Sequence, residues 1–259
     1  MFPYLRLGPY LIHAPGLALL VGLLVGISLT EKESVRLGLH TGRISSMIFF
    51  GLLGGIIAAR LAYAAQYASG FLTNPLSLLS LNTNTLSPGA GALAGLLIAG
   101  LYGYLCKLPF RQTLDALTPG LAFFIIIVGL AHFLSGDAYG APTRLPWAIY
   151  LWSDYRHPAQ IYEMFLALVI FAIVITRRIN LPSPGLKFVQ FVALSAIARI
   201  FLEAFRGDSI ILAGGFRAAQ VMGLIVLLLC IFGAGQWGKP EKSVFPVERK
   251  DQNESTFNA

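Results

Sequence analysis

The stretch Arg156-His157-Pro158-Ala159-Gln160-Ile161-Tyr162-Glu163 begins a hydrophobic segment that continues to residue 176. A cation, an imidazole, an amide, a phenol and a carboxylate therefore stand at the start of a run that is otherwise apolar. Ionisable groups are costly in lipid and are tolerated where they face a protein interior, a wet cavity or a headgroup. The stretch predicts a membrane helix with a functional site at its beginning.

The composition of the whole chain also indicates a membrane protein. Of its 259 residues, 56% are hydrophobic and 12% are charged, whereas soluble domains carry roughly 25% charged residues. A helix needs about 20 apolar residues to cross a bilayer, and about seven runs come near that length. The chain is therefore predicted to be an all-α integral membrane protein. The predicted spans are 9–29, 44–66, 89–105, 117–135, 160–176, 186–205 and 217–236.

The distribution of basic residues predicts the orientation. Twelve Lys and Arg residues fall on one side of the predicted spans and five on the other. The richer side is expected to be cytoplasmic, which places the N-terminus outside and the C-terminus inside. Arg6 precedes the first run, which is expected to be an anchor rather than a cleaved signal. Residues 1–238 are expected to form one polytopic membrane domain, and the polar residues 239–259 a disordered cytoplasmic tail.

Several classes of function are disfavoured by the same composition. The net charge of +7 follows from the topology, and no basic run interleaves with aromatic residues as in a nucleic-acid site. The two cysteines, Cys106 and Cys230, form no ligand pattern and are expected to be apolar fillers. The four histidines are not spaced as metal ligands. We therefore expect no metal, no cofactor and no nucleic-acid partner.

Charged residues inside the predicted spans indicate a polar pocket. Arg199 and Glu203 lie four residues apart in the sixth span, and Arg206 follows one turn later, so the three are expected to share a helix face. The Arg199–Glu203 pair could instead be an internal ion pair that fixes the helix register. Arg60, in the second span, could pair with Glu163 or with a backbone carbonyl.

The chemistry of this pocket favours an anionic lipid. Several guanidinium groups at headgroup depth match a phosphate group bidentately, so an anionic phospholipid from the outer leaflet is the expected ligand. The glycines of the connection 136–159 permit sharp turns, and we expect Asp137 and Tyr139 to fold back over the membrane face. The residues of the predicted pocket are Arg60, Arg156, Arg206, Glu163 and Glu203.

Several runs, in order along the chain, resemble the bacterial prolipoprotein diacylglyceryl transferase family. Arg156–Glu163 is close to the RHPSQLYE motif of that family, and residues 133–143 resemble its signature loop. Residues 54–63 and 91–95 resemble its second and third spans. Phe201–Arg206 resembles its FxxExFR run, and Gln220 a later glutamine. The resemblance covers nearly all of 1–236.

The resemblance implies an activity and a place in the cell. Such enzymes work in the bacterial plasma (inner) membrane. They move the diacylglyceryl group of phosphatidylglycerol to the lipobox cysteine thiol in a preprolipoprotein signal peptide, and glycerol phosphate leaves. A thiol needs a base or an electropositive site, and the leaving phosphate needs positioned cations. No cofactor is implied.

The resemblance also implies roles for particular residues. Arg206 would steady the phosphate with help from Arg60, and Asp137 and Tyr139 would shape a lid over the pocket. The expected catalytic residues are His132, Arg206 and Asp137. The expected substrate-binding residues are Arg60, Tyr139, Gly140, Arg156, His157, Gln160, Tyr162, Glu163, Glu203 and Gln220.

The chain departs from the family at polar positions. The histidine of the family HGG run is Ala90 here, and in the GRxGNF run an arginine is replaced by Gly129 and the asparagine by His132. The family WYG reads Ala14-Pro15-Gly16. His132 could supply a replacement base, or it could be an interfacial histidine with satisfied hydrogen bonds.

Two hypotheses follow from these departures. The chain is a divergent diacylglyceryl transferase, or it is an inactive or repurposed paralogue that binds phospholipid or a partner without transfer. A transporter is disfavoured because the chain shows no paired broken helices in two halves.

Overall fold

Helices account for most of the chain in the computed structural model, which describes residues 3–8, 10–73, 85–176, 183–212 and 214–238. The helices are α1 Ala14–Arg36, α2 Thr41–Gln66, α3 Ala68–Thr73, α4 Pro88–Leu105, α5 Phe110–Ser135, α6 Ala159–Thr176, α7 Leu186–Glu203 and α8 Ala218–Trp237. Two antiparallel hairpins precede α1 and α6. Their strands are β1 Tyr4–Leu7, β2 Tyr10–His13, β3 Ile149–Leu151 and β4 Asp154–Arg156.

The helices confirm the prediction of an all-α integral membrane protein. Among the described residues, six helices are long and apolar enough to cross a membrane, namely α1, α2, α4, α5, α6 and α8. Helix α7 has 18 residues but carries Lys187, Arg199 and Glu203, which lowers its hydropathy. Each of the seven predicted spans corresponds to one of these helices. The orientation stays a prediction, and the tail 239–259 lies outside the described residues.

Several predicted boundaries were wrong, since α1 extends to Arg36 rather than 29 and α2 begins at Thr41 rather than 44. Residues 10–13, placed in the first span, form strand β2, and α1 begins only at Ala14, where Nδ1 of His13 accepts the N–H of Gly16 at 3.2 Å. Helix α5 begins at Phe110 instead of 117, directly after Pro109. Hydropathy misses this start because the first turns of α5 are polar. Helix α7 ends at Glu203, so Arg206 does not share a helix face with Arg199 and Glu203.

Small residues let the helices approach closely. A Cβ at Gly120 of α5 would collide with the carbonyl oxygen of Gly26 and the hydroxyl of Thr30, both in α1. Helices α2 and α4 meet in the same manner, since a Cβ at Gly55 would lie 2.9 Å from the carbonyl oxygen of Gly91. Close backbone contacts therefore fix the packing of α1 against α5 and of α2 against α4.

Asp115 of α5 positions the helix that leads to the site. Its carboxylate accepts the N–H groups of Gly185 at 2.6 Å and Phe188 at 3.0 Å. These amides belong to the unpaired first turn of α7, where an anion is favoured. Near this end, Lys187 of α7 donates to Glu33 of α1 at 2.7 Å. The start of α7 is thus held by α5 and α1, which sets the position of its distal end at Glu203.

Alanine at Gly120 should destabilise the fold because its Cβ meets backbone that cannot move aside. Overpacking of this kind costs about 1–3 kcal/mol and should lower the thermal midpoint of the detergent-solubilised protein. The matched control is Gly100→Ala in α4, where a Cβ meets no atom of the described chain within 4 Å. Helix propensity favours alanine there by about 1 kcal/mol. Equal midpoints for the two variants would contradict the close contact between α1 and α5.

Candidate functional site

The connection between α5 and α6 folds back as a small sheet over neighbouring ends of α5, α6 and α7. Isolated bridges pair Gly140 with Arg206 and Pro142 with Arg156. The N–H of Ala141 donates to the carbonyl of Phe205 at 2.8 Å, and the N–H of His157 donates to the carbonyl of Ala141 at 3.0 Å. The segment 139–143 therefore joins strand β4, which leads into α6, to the residues that follow α7.

Glycine is required where this segment is most crowded. A Cβ at Gly140 would overlap the carbonyl oxygen of His157 and lie 2.7 Å from the Cβ of that residue. A Cβ at Gly207 would lie 2.7 Å from the carbonyl oxygen of Gly140. The structure thus gives Gly140, expected to bind substrate, a packing role between two backbone segments.

His132 and Glu163 contact each other across α5 and α6. Nδ1 of His132 lies 3.0 Å from Oε2 of Glu163, with one third of the histidine side chain exposed. The sequence singled out both residues but not their contact. Glu163 of α6 therefore holds a ring nitrogen of a histidine that the family pattern does not contain.

The alternative in which Arg60 pairs with Glu163 was wrong. The guanidinium of Arg60 donates to the carbonyl of Thr85 at 3.0 Å and also bonds the hydroxyl of Thr85. It also lies 5.6 Å from the centre of the Phe71 ring. Arg60 thus joins α2 to the residues just before α4. The prediction that Arg60 pairs with a backbone carbonyl is confirmed.

Gln160 connects the first turn of α6 to the folded-back segment. Its side chain is fully buried, and Nε2 donates to the backbone carbonyl of Asp137 at 2.8 Å. The contact uses the main chain of Asp137, whose own side chain is exposed. Oε1 of Gln160 and Nδ1 of His157 are buried without a hydrogen-bond partner among the described residues. A buried polar atom without a partner costs about 1–3 kcal/mol.

Arg156 and a group of aromatic rings hold the hairpin in place. Arg156 donates from Nε to the carbonyl of Leu151 at 3.1 Å and from Nη1 to that of Gly140 at 3.3 Å, with the Tyr139 ring 5.0 Å away. The rings of His157, Tyr162 and Phe205 pack with centres 5.3–6.2 Å apart. Nε1 of Trp147 donates to the hydroxyl of Tyr162 at 2.8 Å.

Arg206 has a largely buried side chain, and its guanidinium is bound on one edge. Its Nε and Nη2 donate to the two carboxylate oxygens of Asp208 at 2.8 and 2.6 Å, and its side chain is 13% exposed. Burial opposes the charge of Arg206, but the hydrogen bonds and charge of Asp208, with the charges of Glu163 and Glu203, raise its pKa. Burial likewise opposes ionisation of Asp208, and Arg206 outweighs it, so the pKa of Asp208 is lowered. Both groups are charged at neutral pH.

Below this sheet, α7 contributes the predicted ion pair. Nη2 of Arg199 lies 3.3 Å from Oε2 of Glu203, whose side chain is 2% exposed. Arg199 and Glu163 also line a pocket of about 180 Å³ between α5, α6 and α7, which includes Ser195. Gln220 of α8 donates to the carbonyl of Ile200 at 3.4 Å. The Arg199–Glu203 pair of α7 therefore lies near Glu163 of α6.

The packing of Gly129 explains one of the departures. A Cβ there would lie 2.8 Å from Cγ and 3.3 Å from the backbone nitrogen of Met164 in α6. This close contact leaves no room for an arginine at position 129. Ala14, Pro15 and Gly16 form the first turn of α1, and Ala90 lies in the first turn of α4.

Two residues that contact the candidate site were not predicted from the sequence. Asp208 was not singled out, although a carboxylate two residues after Arg206 lies within reach of its fork. Trp147 was missed because an aromatic residue in a loop is ordinary by itself. Among the described residues, no group of three or more His, Cys, Asp or Glu could hold a metal ion.

Comparison with known proteins gives consistent matches. A family model described as prolipoprotein diacylglyceryl transferase matches residues 3–234. The chain is similar to the phosphatidylglycerol–prolipoprotein diacylglyceryl transferase of Trichormus variabilis, with 28% identity over 244 residues that cover 88% of this chain and 86% of the relative. Proteins of the same name from Clostridioides difficile (28% over 210 residues, 81% and 84% covered) and Staphylococcus aureus strain bovine RF122 / ET3-1 (28% over 242 residues, 87% and 85% covered) are also similar.

Alanine at Gly140 should open the folded-back sheet, because its Cβ would overlap a backbone carbonyl. The amides of Ala141 and His157, which bond across this segment, should then exchange with deuterium faster than in the wild type. Gly89→Ala is the matched control, since a Cβ at Gly89 meets no atom of the described chain within 4 Å. Unchanged protection of both amides in Gly140→Ala would show that the segment accommodates a side chain.

Proposed function

Because the chain belongs to the prolipoprotein diacylglyceryl transferase family, we propose that it transfers the diacylglyceryl group of phosphatidylglycerol to a lipobox cysteine thiol of a preprolipoprotein. A carbon–sulfur bond forms at the glycerol carbon, the carbon–oxygen bond to phosphate breaks, and glycerol phosphate leaves. The thiol proton passes to a base. The protein is a multi-pass membrane protein of the bacterial plasma membrane.

The observation that supports this function best is the group formed by Arg206, Glu163 and His132. It combines a cation for a phosphate with an imidazole for a thiol, at the outer ends of α5, α6 and α7. Positioned cations stabilise charge that develops on a leaving group. Arg206, with five fixed donors, suits a phosphate better than a lysine would.

In this proposal His132 removes the thiol proton. When Nδ1 carries the ring proton and donates it to Glu163, Nε2 is left as an acceptor. Such a hydrogen bond fixes the orientation and the tautomer of an imidazole that acts as general base. Glu163 is then a positioning residue rather than a proton acceptor from the substrate.

The other expected site residues support this chemistry. Gln160 and Tyr162 shape the start of α6, where the buried Gln160 amide oxygen has no hydrogen-bond partner among the described residues. Arg156, Tyr139 and Asp137 form the cover through the folded-back segment, and His157 packs inside it. Glu203 and Gln220 fix the distal half of α7. Arg60 adds positive charge from the side of α2.

A second function is favoured by the two lost side chains. Where the family resemblance implies a histidine and an arginine, Ala90 and Gly129 supply neither, and Met164 closes the second position. A paralogue that binds phosphatidylglycerol without transferring its diacylglyceryl group would keep Arg206 and dispense with both. Transfer assays on the purified protein separate the two functions.

Replacing Arg206 with alanine should lower kcat/KM for transfer to a lipobox peptide by about 100-fold or more, as for other positioned charges at a leaving group. Arg206→Lys should retain an intermediate rate because the charge stays and the fork is lost. The assay uses liposomes that contain phosphatidylglycerol, and Arg144→Ala is the control because Arg144 is exposed on the same loop. If the wild type gives no product under conditions in which a related transferase does, the result would favour the paralogue that binds phosphatidylglycerol without transfer.

Replacing His132 with alanine should reduce the transfer rate by about 100-fold, the lower range for loss of a general base. The pH–rate profile should also lose its ascending limb, which a purely structural histidine would not affect. His40→Ala is the matched control, because His40 precedes α2 and its side chain makes no capping hydrogen bond. An undiminished rate in His132→Ala would remove this residue from the mechanism.

A further inference from the structure

The fork of Arg206 that a phosphate would use is occupied by a carboxylate of the same chain. Nε and Nη2 both donate to Asp208, at 2.8 and 2.6 Å, and each donor has its own oxygen. Phosphate and carboxylate oxygens bind this edge of a guanidinium with the same two-pronged geometry. The two anions cannot hold the same two donors at once.

We infer that Asp208 competes with the phosphate group of the lipid for Arg206, and that lipid binding exchanges one anion for the other. The inference rests on the proposed function, because that function assigns the phosphate to Arg206. It adds a residue that the family resemblance did not single out. Asp208 acts through Arg206 and is therefore a positioning residue.

The charges around Arg206 make such an exchange feasible. A guanidinium with a 13% exposed side chain is costly without a counter-ion, and Asp208 supplies one when no lipid is bound. Glu163 and Glu203 add negative charge nearby. A phosphodiester carries one negative charge, so replacing Asp208 with it keeps the charge of this group constant.

The position of Asp208 allows it to leave. It lies in the connection from α7 to α8 with a 28% exposed side chain, more than twice the exposed fraction of Arg206. Gly207 precedes it, and its main chain lies outside the helices. Arg206 itself is held in the sheet by its bridge to Gly140, and its carbonyl accepts a bond from Arg217 at 3.4 Å. Asp208 is therefore the less enclosed partner of the pair, and Arg206 remains in place to receive the phosphate.

The exchange also suits product release. After transfer, glycerol phosphate holds Arg206 as a soluble anion, without acyl chains that keep it in the membrane. Asp208 can then return to the fork and displace it. The carboxylate would weaken the binding of substrate and of product alike, which favours turnover over tight retention.

The test measures lipid binding without any acceptor peptide, so that no transfer can occur. Asp208→Asn removes the competing charge and should lower the phosphatidylglycerol concentration for half-maximal thermal stabilisation about three- to tenfold, as expected for a partly exposed ion pair. Phosphatidylcholine serves as the background lipid. Asp154→Asn is the control, because Asp154 is an exposed carboxylate that bonds its neighbouring amide of Tyr155.

A double variant shows whether the effect acts through Arg206. In an Arg206→Ala background, Asp208→Asn should change the phosphatidylglycerol midpoint by less than twofold, because the contested donors are gone. Tightening that persists in this background, or a midpoint in Asp208→Asn equal to or above the wild-type value, would overturn the inference. If Asp208→Asn does not fold, Asp208→Ser carries the same expectation.

A second probe identifies which phosphate Arg206 receives. Inorganic phosphate is titrated against protein in phosphatidylcholine alone. Tightening only for phosphatidylglycerol supports competition with a lipid headgroup, and tightening for both probes supports competition with any phosphate. A wild type that performs no transfer, together with tighter binding by Asp208→Asn, would refute the proposed transferase and leave the exchange standing.

Discussion

The structure depends on how backbone that leaves a helix near the membrane surface satisfies its hydrogen bonds. A backbone N–H or carbonyl that is buried away from water without a partner costs several kcal/mol, so backbone that packs over the helix ends needs hydrogen-bond partners. Segment 139–143 meets this demand by pairing with β4 on one side and with residues 205–207 on the other. Because that pairing joins neighbouring ends of α5, α6 and α7, it also brings the candidate site residues together. Gly140 and Gly207 are the points where no side chain could be admitted.

The same arrangement balances charge within a small volume. Arg206 is paired with Asp208, Arg199 with Glu203, and Glu163 with the ring of His132. Arg206 and Arg199 thus each have an anion in place before any substrate binds, which lowers the cost of holding charge near lipid. A substrate phosphate must then replace an existing anion, and the most exposed carboxylate of this set is the one bound to Arg206.

The sequence predicted the helices well and their contacts poorly. Hydropathy found every span because apolar length is a local property, but it misplaced the start of α5, whose first turns are polar. The strands β3 and β4 have three residues each, too few for an alternating pattern to be recognised. Partner choice failed for a different reason. Arg60 had two candidate partners, and the choice of Thr85 over Glu163 depends on how α2 and α4 pack, which spacing along the chain does not determine.

Gly129 and His132 lie three residues apart on α5, and these two departures from the family pattern are better understood together than separately. Gly129 lets α6 approach until Met164 packs against it. Glu163 lies about one turn after Gln160 on α6, and its Oε2 is 3.0 Å from Nδ1 of His132. An arginine at 129 would push the two helices apart and break that contact, so the absent cation and the new imidazole belong to one packing arrangement. If the chain is a transferase, it has lost the arginine of α5 and keeps Arg206 beyond α7, which the family run also contains, and its base has moved from α4 to α5. Such a relocation keeps cation and base at the same end of the bundle while changing the helix that carries the base.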